Sequence, residues 1–360
     1  WVRDARGNLG MQYIHPPKPD SDATEALSPG SVPTYDIAGN LLFQHSMDAG
    51  DRWSLNDAAG KPMLAWDVND VLGAEGQKHA ETRLAHTEYD LLHRPLRQWL
   101  RLGTAPAAVV ERFDYRDMAD VDAGIDLDDA RARNLIGQAI RHDDSSGRMK
   151  LLRLSFTGKV QHEQRRLARH TTERTIDWGG DEAAREAQLE AETFTRFTEH
   201  DALGRMTRLA NWHRNPQHVA VYTPVYNERG ALTAEDLSIG ASWNNGEPTP
   251  GTKTWRAVHG ITYNAKGQRT RLRHGNGTET RYAYDPRTFR LMQLRTTRPA
   301  TDLLFPGFRS NLSDDRVVQQ LHYTYDAAGN IAEIEDEAWA PVFFRNQGVE
   351  ARNLYVYDAL

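Results

Sequence analysis

HGITYNAKGQRTRLRHGNGTETRYAYDPRTFRLMQLRTT, residues His259 to Thr297, holds two consecutive copies of one short pattern, and much of the chain repeats it. In the first copy, Tyr263-Asn264-Ala265-Lys266-Gly267, an aromatic residue precedes an Asx residue, and glycine stands three positions after the Asx. Asx at the first position and Gly at the fourth is the chemistry of a type I turn whose glycine takes φ > 0, a short connection between antiparallel strands. Tyr263 therefore closes one strand and Gly267 opens the next. Gly275-Asn276-Gly277 is a second turn signal, after which Thr278, Thr280, Tyr282 and Tyr284 alternate on one face. The second copy, Tyr284-Asp285-Pro286-Arg287, has proline where a type I turn accepts it and Thr288 where glycine is expected.

The same unit recurs in full at Tyr35-Asp36-Ile37-Ala38-Gly39 and at Tyr325-Asp326-Ala327-Ala328-Gly329. Looser copies are Asn56-Asp57-Ala58-Ala59-Gly60, Tyr89-Asp90 with His93 in the glycine place, His200-Asp201 with Gly204, and Tyr226-Asn227 with Gly230. Asp4 with Gly7, and Tyr357-Asp358, lie at the two ends. A unit repeated with insertions predicts an array in which each unit buries its face against its neighbours. The fold class expected is mainly β, a YD-repeat sheet array with few short helices. Tyr35, Tyr89, Tyr263, Tyr284 and Tyr325 are expected at equivalent strand ends, buried under the next unit. The repeat Asp residues precede a turn glycine, so their role is structural rather than that of catalytic acids.

Between the repeats, the whole chain 1–360 reads as one repeat segment with three interruptions. His15 to Thr34, rich in proline, is a loop; Glu182 to Thr193 is a helical insertion; Ser238 to Thr254 is a loop insertion. Asp181 is the expected N-cap of the second of these, and its charged helix is expected to decorate the sheet on the solvent side. A further short helix is expected over Ala130 to Ile140. The acidic run from Asp114 to Asp129 lacks the glycine and closing glutamate of a calcium loop and is expected to be solvated. Trp53 and Trp66 are expected in the core, and Gly158 in a turn or bulge.

Composition bounds the function. The 360 residues carry a net charge of -6, with 39% hydrophobic residues and a mean hydropathy of -0.70. Burial falls largely to 9 Trp, 13 Tyr and 10 Phe, side chains that strands favour. Lys and Arg form no concentrated patch for nucleic acid, and no apolar run reaches the ~18 residues of a membrane helix. With no cysteine, thiol catalysis and Cys-zinc sites are excluded. The sequence has no GxSxG, HExxH, P-loop or GxGxxG motif, and His162-Glu163 continues as Gln-Arg-Arg. The expectation is no catalytic residue, no cofactor and no metal.

The repeats resemble the YD repeats of Rhs-type proteins, most closely the B and C components of bacterial insecticidal toxin complexes. The narrower resemblance is carried by LLFQHSMDAGDRWSLNDAAGKPMLAWD (Leu41 to Asp67), YDLLHRPLRQWLR (Tyr89 to Arg101), ARNLIGQAIRHDDSSG (Ala132 to Gly147), LSFTGKVQHEQRRLA (Leu154 to Ala168) and the stretch from Tyr323 to Leu360. It implies a hollow β-sheet shell that encloses a toxic C-terminal effector, secreted, with the rest of the shell, the effector and a translocation component as partners. It also implies an aspartyl self-cleavage site near the end of the shell, but the matching segment would lie beyond Leu360, and no catalytic residue is carried over. A first residue of Trp1 and a last repeat cut at Leu360 lead us to expect a fragment of a larger chain. The alternative is an extracellular adhesion or wall-associated repeat protein.

Overall fold

Pairing throughout is antiparallel and between strands close in sequence, as short connections dictate. The computed structural model describes residues 34–46, 50–72, 76–117, 126–170, 172–214, 217–244, 246–299 and 310–357. The expected proline-rich loop therefore lies outside the described residues except for Thr34, as do the copy at Asp4 and the residue Asp358. The chain divides into two compact units, Trp1–Thr195 and Arg196–Leu360.

The first unit is a meander of β1 (Thr34–Tyr35), β2 (Leu41–Ser46), β3 (Gly50–Asn56), β4 (Pro62–Leu72), β5 (Lys78–Tyr89), β6 (Pro95–Leu102), β7 (Ala108–Tyr115), β8 (Ala139–Asp144), β9 (Gly147–Leu154) and β10 (Val160–Leu167), with helices α1 (Leu127–Ala132) and α2 (Glu182–Ala187). Each strand pairs with the next. The unit boundary falls within β11 (Phe194–His200). The second unit continues with β12 (Met206–His213), β13 (Val219–Tyr226), β14 (Leu232–Ala241), the ribbon β15 (Trp243–Asn244) and β16 (Glu247–Pro248), β17 (Lys253–Tyr263), β18 (Arg269–His274), β19 (Glu279–Tyr284), β20 (Leu291–Thr297), β21 (Val317–Tyr325), β22 (Ile331–Asp336), the ribbon β23 (Val342–Phe344) and β24 (Gln347–Val349), and β25 (Arg352–Leu354). From β12 to β25 the sheet again runs neighbour to neighbour, with each ribbon set off as an extended hairpin tip. Strand dominates as expected, and neither meander closes into a barrel.

Many strands are half-buried along their length rather than alternately in and out; β6, β10 and β20 are examples. One strongly apolar face is thus missing over much of each sheet. Compact cores form where something covers the sheet. In the first unit, Val109, Ala168, Ile176, Trp178 and Leu189 cluster together, with Trp99 packed against them. The covering strap is the segment after β10. Its Trp178 N–H donates to Val109 O (2.7 Å), and its indole N–H donates to Asp144 O (3.0 Å). In the second unit the core is Phe197, Ala210, Val219, Val221 and Ala241, covered by Trp243 from the β15–β16 ribbon.

Several expectations are corrected. The first helix spans Leu127–Ala132, not Ala130 to Ile140: Asp126 caps it by accepting from the Asp128 and Asp129 N–H groups, and Asn134 turns the chain at φ 58. The second helix is capped by Asp181 as expected but ends at Ala187, and it is no solvent-side decoration. Its Glu182 and Glu186 receive Arg148, whose side chain is 0% exposed and is also paired in two-pronged fashion with Asp143, likewise 0% exposed. The loop at Ser238 to Thr254 is a hairpin: β14 and β17 extend into it and the ribbon occupies its tip. The acidic run is structured at both ends, with Asp114 paired to Arg112 and Arg141, and Asp117 to Arg94; Asp120 and Asp122 lie outside the described residues. Trp53 and Trp66 are not core residues. They are half-buried cross-strand neighbours, stacked at 5.8 Å and 7° on the open sheet.

Candidate functional site: a ladder of tyrosine-clamped turns

The repeat signature assembles into one recurring device. In each complete copy the Asx N–H donates to the carbonyl four residues on, and the glycine N–H donates back to the Asx carbonyl. At Asp36 these bonds are 2.9 Å from Asn40 O and 3.1 Å to Gly39 N, and Asn264 repeats them at 2.9 and 3.0 Å. The Asx side chain completes the turn from inside. Asp36 Oδ1 accepts from Ala38 N (2.9 Å) and Asn40 N (2.8 Å), and the same pair of bonds recurs at Asp57, Asp90, Asp201, Asn227 and Asn264. Asp326 Oδ1 accepts from Gly329 N and Asn330 N instead. The glycine must be left-handed for the chain to rejoin the ladder, and Gly39, Gly204, Gly230, Gly267 and Gly329 have φ between +75 and +105. His93 fills that place at φ 57, a conformation His reaches more readily than branched residues. Among the described residues, the side-chain oxygen of each repeat Asx thus accepts backbone N–H groups.

The second copy of the opening stretch differs from its reading. The left-handed residue is Phe289 (φ 60), not Thr288, and its N–H donates to Asp285 O across one extra residue. The neighbouring turn supports it: Gln268 Nε2 donates to Phe289 O at 2.7 Å, and Lys266 Nζ lies over the ring. A further copy hides at Ser155-Phe156-Thr157-Gly158-Lys159, where Ser155 Oγ accepts from Lys159 N (3.0 Å) and Gly158 closes the turn at φ +77. Its signal was the Gly158 already singled out, with a hydroxyl standing in for the carboxylate.

What binds one turn to the next is the tyrosine hydroxyl. Tyr89 donates to Pro62 O (2.7 Å), Tyr226 to Met206 O (2.9 Å), Tyr263 to Leu232 O (2.7 Å), Tyr284 to Arg269 O (2.8 Å) and Tyr357 to Ile331 O (2.9 Å). Each acceptor is the fifth residue after the Asx of the preceding copy. Tyr115 donates to Pro95 O (3.1 Å) by the same rule, which makes it a member of the row that the sequence pattern did not list; a chain excursion closed by the Arg116–Gln138 pair replaces its turn. Where Asn56 stands in the tyrosine place, Ser54 Oγ reaches the equivalent carbonyl, Leu41 O, at 2.5 Å. Tyr357 is 51% exposed, and the other tyrosines of the row are half-buried, not buried as expected. Desolvation there pushes the Tyr89, Tyr115, Tyr284 and Tyr325 hydroxyls above their ordinary range, so they are donors at neutral pH.

Arginine adds a second strut. Arg94, Arg205 and Arg290, each just after a turn, lie over the rings of Tyr115, Tyr226 and Tyr325 in the following copy at 4.1, 5.0 and 5.4 Å. Arg94 also reaches Asp117 with both terminal nitrogens at 2.9 and 2.7 Å. Chemically the row is saturated: its acids accept N–H groups, its tyrosines donate to carbonyls, and no cluster of metal-ligating side chains occurs among the described residues. It is fitted to hold strands in register.

No family model matches the chain. Similar curated proteins are the toxin subunits YenC1 and YenC2 of Yersinia entomophaga, 32% identical over 328 residues and 29% identical over 332 residues, each match covering 90% of this chain. The chain spans 29% and 31% of their lengths, respectively. Among solved structures, the TcdB2-TccC3-Cdc42 crystal structure matches with a TM-score of 0.69 and 28% identity over 93% of this chain and 14% of that one. The Photorhabdus luminescens Tc holotoxin pore matches with a TM-score of 0.68 and 28% identity over 93% of this chain and 13% of that one. Repeat chemistry, sheet architecture and these likenesses agree that the chain is similar to Rhs-type YD-repeat segments, most like those of the B and C components of bacterial insecticidal toxin complexes.

Proposed function

We propose that this segment is a stretch of wall in a Rhs-type shell, which encloses a C-terminal toxic effector for delivery and acts by enclosure rather than by chemistry. The observation that carries this reading is the ladder on a sheet that lacks one apolar face over much of its extent. Side chains half-exposed to both sides suit a single layer with solvent outside and an aqueous space within, whereas a two-layer sandwich demands one face that is strongly apolar. A twisted sheet that keeps adding strands must curl, split or close, and the tyrosine clamps keep its register fixed as it does so. On this reading the partners are the remainder of the shell, from flanking chain or from the other B or C component, the enclosed effector, and the translocation component of the complex. The assembly is secreted.

The test uses the longer protein that carries this segment. With the shell intact, a C-terminal effector resists protease; with Gly267→Val and Gly329→Val together, which force a β-branched residue to φ > 0, it becomes sensitive. Equal digestion in both proteins would reject enclosure and favour the adhesion reading.

A further inference from the structure

Strand register in the second unit gathers arginines that lie well apart in sequence. Along β18, Arg269, Arg271 and Arg273 alternate onto one face. Across the strands, Arg271 stands directly opposite Arg281, and Arg281 directly opposite Arg295. Like charges set opposite each other weaken a sheet, so this row is not there for stability.

One carboxylate answers all five. Glu279, on the same face, accepts from Arg271 and, at 2.7 Å, from Arg281. The Arg271 Nε is buried without an acceptor. Among the described residues, the guanidinium groups of Arg269, Arg273 and Arg295 have no hydrogen-bond or ion-pair partner. The neighbouring Asp314 does not neutralise Arg295, because it is already bonded to Arg316 at 2.8 Å. Five cations against one carboxylate leave the patch strongly positive, with three guanidinium forks open to an incoming acid.

The spacing selects the kind of acid. Same-side side chains of an extended peptide repeat every two residues, about 6.8 Å, which is also the interval between the β18 arginines. Carboxylates at alternate positions of such a peptide therefore meet them in step, and a guanidinium fork grips a carboxylate with two parallel bonds. Single-stranded nucleic acid needs aromatic rings on which its bases stack. This face offers none: Ala283, Gln293 and Thr297 stand between the arginines, and Tyr282 and Tyr284 alternate to the other side. We propose that the β18–β20 face binds an extended acidic polypeptide segment with carboxylates at alternate positions, Arg269 and Arg273 taking one carboxylate each and Arg281 and Arg295 adding charge at the flank.

Fluorescence anisotropy of a labelled peptide of alternating Glu and Thr should show saturable binding to the 360-residue chain. In Arg269→Gln/Arg273→Gln/Arg295→Gln the affinity should fall about tenfold, the combined worth of three surface ion pairs. The melting temperature should not fall, since none of the three has a partner to lose. Lys61→Gln/Lys159→Gln/Arg229→Gln, an equal change of charge at exposed turn positions, should bind as the parent does. A peptide of the same composition with its Glu and Thr in two separate blocks should bind more weakly, as should oligothymidylate of equal charge. No binding at about 1 mM, equal losses in the two triple variants, equal affinity for the block peptide, or tighter binding of oligothymidylate would each overturn the proposal.

Discussion

Tyr325 donates its hydroxyl to Leu291 O at 2.8 Å, and Leu291 is the sixth residue after Asp285, whereas in the other clamped copies the acceptor is the fifth. The shift equals the one residue added to the Asp285 turn. The clamp therefore recognises a place in the strand pairing, not a distance along the sequence, and the repeat tolerates a longer turn without losing register.

Removing that hydroxyl tests its contribution. Tyr325→Phe should cost about 0.5–1.5 kcal/mol, the net value of one hydrogen bond, in urea unfolding followed by tryptophan fluorescence. Tyr323→Phe, in the same strand but outside the row, should cost less. Equal losses would show that the clamp adds nothing specific.

The turn glycines separate backbone strain from crowding. At Gly267 an added Cβ meets nothing within 4 Å, so Gly267→Ala carries only the penalty of φ +79, about 1 kcal/mol. At Gly329 the same Cβ would sit 2.2 Å from Arg290 Nη2, the guanidinium that lies over Tyr325. Gly329→Ala should therefore destabilise more than Gly267→Ala, and Arg290→Ala should remove part of the difference. A Gly329→Ala no worse than Gly267→Ala would mean that Arg290 moves aside freely.

Acid should loosen the ladder. The Asp36, Asp201 and Asp326 carboxyls are held below the ordinary 3.8, first by the side chains of Asn40, Arg205 and Asn330, respectively, and then by turn N–H groups. Their contribution is complete above the unfolded value of 3.8 and is lost as the pH falls through the lower folded values. Asn227 and Asn264 build the same turn without a titrating group. Asp36→Asn/Asp201→Asn/Asp326→Asn should then melt near the parent temperature at neutral pH and lose less of it in acid. Parallel acid profiles for the two proteins would contradict this.

Arg148 anchors the first unit from a buried position. It bonds Asp143 at 2.6 and 3.0 Å with both side chains fully buried, and it ties the β8–β9 hairpin to α2 through Glu182 and Glu186. Arg148→Met leaves a buried carboxylate without its cation and should cost about 3–5 kcal/mol. Arg83→Met, at a pair that is 41% and 21% exposed, should cost less than about 1 kcal/mol. Comparable urea midpoints for the two variants would refute the distinction.

The turns were legible in sequence because an Asx at one end and glycine at the other leave few backbone options, and in the repeat copies at Asp36, Asp57, Asp201, Asn227, Asn264 and Asp326 the turn forms. The Ser155 copy escaped because a hydroxyl can do the work of the Asx oxygen, and Phe289 because, with Thr288 in the glycine place, the left-handed residue falls one position later. The clamps were illegible for a different reason: their acceptors are backbone carbonyls, which no residue letter records. The same holds for the strap. Arg148, Glu182 and Glu186 look like surface charges in sequence, and only the chain's return over the β7–β10 face brings them together with Asp143 and buries Trp178.

The wall reading is tested most directly by asking whether the two faces of one strand differ in access. Ala65 and Val68 are both exposed and lie three residues apart in β4, hence on opposite faces. With a bulky polyethylene-glycol maleimide, Ala65→Cys and Val68→Cys should both react readily in the isolated 360-residue chain. In the longer protein that carries this segment, one should react as before and the other should be protected until the protein is unfolded. Equal labelling of both positions in the longer protein would contradict a wall that separates inside from outside.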